Sequence, residues 1–147
     1  MNLDRIESFP REEVLLAYLA SVPAGLFSIV QIQRGIFLIS KNLPDVFETP
    51  YDFNADSYGP RCSAIPGNLD ILMDRKFVKL MVDPASYTNA RDYLATPNGL
   101  KHAETVLSEM SPKHRDYFKR VAEWILQLSF IDLTRSMNQA YPEMVVR

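Results

Sequence analysis

Two opposed charge patterns adjoin in the middle of this 147-residue chain. Asp70 and Asp74 are four positions apart, the spacing that brings two carboxylates together on one helix face. Arg75, Lys79, Asn89 and Arg91 come next. Lys and Arg neutralise phosphates, and Asn hydrogen-bonds phosphate oxygens or base edges, so this second set has the chemistry to hold duplex DNA. From Arg75 to Arg120 nine cations stand against five carboxylates, a net of +4, which leaves −6 for the rest of a chain of formal charge −2. The chemistry expected is charge recognition.

The other reactive groups are isolated. Cys62 is the one cysteine, which excludes an internal disulfide. It follows Arg61 near an expected helix start, where the dipole and the neighbouring cation would favour a thiolate. With no histidine near it in sequence, its expected role is that of a small buried apolar residue. His102 and His114 are the only histidines, and no His-x-x-x-His or His-Glu-x-x-His spacing occurs. No metal site or cofactor is therefore expected. Neither a Gly-rich phosphate loop nor a Gly-x-Ser-x-Gly turn is present, and the expectation is a protein that is not an enzyme.

These residues must be positioned by a scaffold, and hydrophobic periodicity outlines it. With 47% hydrophobic and 23% charged residues, the chain is globular and long enough for one self-supporting domain. A first helix is expected from Pro10 or Arg11 to Pro23, with Val14, Leu15, Tyr18, Leu19 and Val22 recurring at helical spacing. Ser28 and Gln31 form a capping box for a second helix reaching about Ser40, striped by Ile29, Ile32, Ile36 and Ile39. Lys41 to Pro60 reads as a long loop holding Phe47, Tyr51, Phe53 and Tyr58, which are expected to fold back as local core. A third helix lies between Arg61 and Lys76, its main segment starting at Pro66. Phe77–Val82 and Arg91–Ala95 alternate as two strands around a turn bearing Tyr87 and Asn89. Thr96-Pro97, Ser111-Pro112 and Ser129 with Asp132 then cap three more helices, the last ended by Pro142. Trp124, on the fifth helix's apolar stripe, is expected in the core or a dimer interface.

Placing Ile65, Leu69 and Leu72 inward turns Ser63, Gly67, Asp70 and Asp74 outward on the third helix, with Asn68 and Arg75 on one flank. Two carboxylates there would repel phosphates, so this helix is a poor groove reader and the pair of strands that follows must carry any DNA contact. The N-terminus lacks the pattern of a secretory signal, and Leu26–Ser40 is too short and too polar to span a bilayer. A cytoplasmic protein with no membrane partner is expected.

Particular residues add a resemblance. Gln33-Arg-Gly-Ile-Phe-Leu-Ile39, Tyr51-Asp-Phe53 with Tyr58-Gly-Pro60, Tyr93-Leu-Ala-Thr96 with Gly99, and Ala140-Tyr-Pro-Glu143 follow one another along about four-fifths of the chain. Their order is similar to that in small bacterial and phage winged-helix proteins of the YwgA-like and Panacea-type (SocA-like) kind. Arg34 stands where that group carries Lys, and Arg61-Cys62 where it carries an aromatic and Ser. The resemblance implies a winged helix-turn-helix, often encoded beside mobile elements or toxin–antitoxin pairs.

The fold expected is thus mainly α with a small β-hairpin wing. It is a single domain over 1–147, with a winged helix-turn-helix over about 10–96 and a C-terminal helical extension over about 97–141 that suits a homodimer. The leading functional expectation is a regulator of the transcriptional type that holds double-stranded DNA through Arg75, Lys79, Asn89 and Arg91. The competitor is a protein-interaction module without DNA affinity, whose Asp70 and Asp74 meet a toxin or effector.

Overall fold

The computed structural model describes residues 8–57, 59–82 and 91–145. Helix α1 (Arg11–Ala20) opens after Pro10 with Glu12 and Glu13 in its positive first turn, and every residue from Val14 to Ala20 is buried. A helix apolar on all sides belongs in the middle of a domain. Around it pack α2 (Ile29–Asn42), α3 (Ala64–Asp74), α4 (Pro97–Glu109) and α5 (Pro112–Gln127), while α6 (Phe130–Ala140) closes the helical set among the described residues. Burial of Leu15, Leu16 and Leu19 stabilises this core by roughly 1.5–3 kcal/mol each.

The α1–α2 joint depends on one glycine. Ser28 and Gln31 form the expected capping box, with Ser28 Oγ accepting from the Gln31 amide at 3.2 Å and Gln31 Oε1 from the Ser28 amide at 2.8 Å. One turn further, a Cβ on Gly35 would fall 2.0 Å from the hydroxyl of Tyr18. The missing side chain lets the buried Tyr18 ring lie against α2 and donate to the Gln31 carbonyl at 3.1 Å.

The segment expected as bare loop, Lys41 to Pro60, is structured. Pro44–Val46 forms a 3₁₀ turn, and β1 (Asn54–Asp56) pairs antiparallel with β2 (Gly59–Arg61). Neither strand is β-branched or alternating in hydrophobicity, so neither gives a periodic signal. Phe47 and Tyr51 are buried as expected, and Phe53 sits edge-on to Phe37 at 5.3 Å. Tyr58 lies outside the described residues.

Helix α3 starts at Ala64, two residues before the expected start at Pro66, because a proline in the first turn forfeits only an amide that has no partner there. Its end is a left-handed cap without glycine. Lys76 takes φ 67°, its amide bonding Met73 O while the Phe77 amide bonds Leu72 O, both at 2.9 Å. The chain then enters β3 (Val78–Val82), paired antiparallel with β4 (Arg91–Ala95) in the register Val78↔Ala95 to Val82↔Arg91. Two bonds between Phe27 and Tyr93 tie this ribbon to the lead-in of α2. Thr96, Ser111 and Ser129 cap α4, α5 and α6 through their hydroxyls, as their sequence positions predict. Trp124 is 38% exposed, which rules out the core alternative of its two expected places; α5 buries Phe118, Val121, Ala122 and Ile125. No helix among the described residues is long and apolar enough to cross a membrane.

Candidate partner-binding surfaces

The outward face of α3 follows the helical projection closely. Ile65, Leu69 and Leu72 have no exposure, while Gly67, Asp70 and Asp74 are exposed. A Cβ on Gly67 would meet nothing within 4 Å. Ile71 adds an apolar residue, 45% exposed, between the two carboxylates. Asn68 departs from expectation: it is turned inward, where its Oδ1 accepts the Tyr51 hydroxyl at 2.7 Å. Burial pushes the Tyr51 phenol well above its ordinary pKa, so it stays protonated as that donor. The exposed centre of α3 therefore offers carboxylates and an isoleucine, and no amide donor.

Arg75, expected on a phosphate, is tied into the scaffold. Its Nη1 lies 3.4 Å from Glu13 Oε1, and its guanidinium sits 4.7 Å over the Phe77 ring. Phe77 stacks on His102 at 4.6 Å and 16°, and His102 Nε2 lies 2.6 Å from the other Glu13 oxygen. One carboxylate thus joins the end of α3 and the side of α4 to α1. Sequence separations of 62 and 89 residues hid this cluster.

Lys79 and Arg91 are both exposed on the ribbon, but its register separates them. Lys79 pairs with Leu94 and shares a face with Met81 and Asp92, whereas Arg91 pairs with Val82 and shares the face of Val78 and Ala95, which turns into the core. Alternation therefore sends the two cations to opposite faces. Met81 and Val82, 41% and 48% exposed, add apolar surface to β3 opposite Asp92 and Arg91. Asn89 falls outside the described residues.

Cys62 is buried at 2% exposure. Its backbone is clasped by Gln33, which accepts the Cys62 amide at 2.7 Å and donates to its carbonyl at 3.0 Å. Arg34 beside it is equally buried, with Nη1 donating to Thr134 Oγ1 at 2.9 Å, the guanidinium facing the Phe130 ring at 5.5 Å, and Gly59 (φ 119°) lying against it. Burial lowers this guanidinium's affinity for its proton. The Gln33-Arg34 pair quoted in the resemblance thus pins α2 to β2 and α6. Among the described residues no group of three or more His, Cys, Asp or Glu is placed to hold a metal ion. No family model matches the chain, and neither does any curated protein.

Proposed function

We propose that this chain is a non-enzymatic interaction protein of winged-helix build whose α3 docks a basic, partly apolar surface of another protein. The observation that carries this reading is the exposed run Asp70, Ile71 and Asp74, from which Asn68 is turned away and Arg75 drawn off to Glu13. Two carboxylates around an isoleucine complement cations around an apolar anchor, the composition of an interface core with its polar rim. The order of three helices and a ribbon, with the resemblance to YwgA-like and Panacea-type proteins, supports a winged-helix build and an antitoxin or adaptor role.

The DNA-binding reading rests on Arg75, Lys79, Asn89 and Arg91; of these Arg75 is paired with Glu13, and Lys79 and Arg91 are exposed but face opposite ways. One titration separates the two. A lysine-rich amphipathic peptide should bind the whole chain, with affinity falling about tenfold or more when Asp70 and Asp74 are both changed to Lys. A duplex shift at about 50 mM salt that fades steeply with added salt, and vanishes on changing Lys79 and Arg91 to Ala, would instead establish the regulator.

A further inference from the structure

The α5 helix carries a second surface, of the opposite sign. Lys113, Arg115 and Lys119 are exposed on its first half, and none forms an ion pair among the described residues. Asp116, the carboxylate between them, is held by Arg120 at 2.7 Å. Arg115 and Lys119 edge an open cleft of about 480 Å³ whose other wall is the end of α1 and the end of α4. Ala20, Pro23, Leu107 and Pro112 supply its apolar lining, and Asp116 adds one carboxylate, whose charge Arg120 offsets. The volume lies within the range of sites that enclose a side chain or small ligand.

We infer that this cleft binds an acidic protein segment bearing an apolar side chain, independently of α3. Arg115 and Lys119 are one helical turn apart, so their stems rise about 6 Å from each other and suit two carboxylates at that spacing. The carboxylates belong on the α5 wall, because the opposite wall is the carbonyl end of α1, which carries partial negative charge. The apolar side chain then enters between the walls over Ala20 and Leu107. A nucleic acid fits less well. Its phosphates would leave that floor unused and find two cations where backbone tracking draws on many.

The experiment is a fluorescence anisotropy titration of the whole chain with a labelled peptide of about a dozen residues, two Glu bracketing one Leu. Changing Arg115 and Lys119 together to Glu should weaken binding at least about tenfold, and replacing the peptide's Leu by Ser about fivefold. Both protein substitutions are fully surface-borne, and circular dichroism shows whether the variant is folded. Changing Asp70 and Asp74 to Lys should leave this affinity unchanged, so the cleft and the α3 face succeed or fail separately. Unchanged binding by the Arg115/Lys119 variant overturns the proposal, as does absence of binding to the unmodified chain. Displacement of the peptide by single-stranded or duplex DNA at lower concentration overturns the assignment to a protein segment.

Discussion

The α3 face and the α5 cleft are opposite in charge and differ in how they are made. Asp70, Ile71 and Asp74 occupy consecutive turns of one helix, so a local projection finds them. The cleft joins residues from α1, α4 and α5 that are close only after those helices have packed. Helix α1 serves both. Its first turn holds the α3 end through Glu13, and its last turn walls the cleft at Ala20, about 10 Å further along the axis. A surface that lies on one element survives small shifts of its neighbours; a surface shared by three does not.

The strongest way to break the comparison is to disturb the α1 seat itself. Gly35→Ala places a methyl 2.0 Å from the fully buried Tyr18 hydroxyl, and overpacking against a rigid ring should cost about 3 kcal/mol. Urea unfolding reads that loss. In the fraction still folded, acidic-peptide binding at the cleft should suffer more than basic-peptide binding at α3; equal losses would contradict the contrast drawn above.

Alkali offers a second route. Burial raises the phenols of Tyr18 and Tyr51, so the folded chain keeps protons that the unfolded chain releases above about pH 10. Their stabilising contribution is complete below that pH and falls as pH rises further, by up to about 1.4 kcal/mol per tyrosine per unit. Unfolding measured from pH 8 to 11.5 should show the decline, and Tyr18→Phe should make it shallower while losing the bond to Gln31.

Glu13→Gln should cost about 1 kcal/mol, since it weakens two charge-assisted contacts at a part-exposed site. It should sharpen the contrast by loosening the Arg75 end of α3 while leaving the cleft's acidic-peptide affinity intact. Smallest of all, reversal of Asp70 and Asp74 to Lys should shift stability by no more than about 0.5 kcal/mol, because both side chains are exposed and unpaired among the described residues. A larger thermal shift would mean that these carboxylates support the fold rather than face a partner.

The order of helices, the hydroxyl caps of α2, α4, α5 and α6, and the inward set of α3 were legible because each depends on neighbours within one or two turns. The β1–β2 pair was not, since Asn-Ala-Asp and Gly-Pro-Arg lack periodicity and are held by packing on α2 and Arg34. Nor was the cap at Lys76, where the hydrogen bonds to Leu72 and Met73 hold a non-glycine residue at positive φ. Nor was the exposure of Trp124, because an apolar stripe states what could be buried, while the neighbouring elements determine how wide a stripe is covered.

By itself, then, the amino-acid order determined a mainly helical domain and an acidic outward helix, because those follow from spacing along one element. Only the tertiary structure decided that Arg75 belongs to Glu13, that Lys79 and Arg91 point apart, and that Arg115 and Lys119 edge a cleft. Each of those outcomes depends on which distant backbone arrives alongside, and the sequence spacing of the residues carries no measure of that distance.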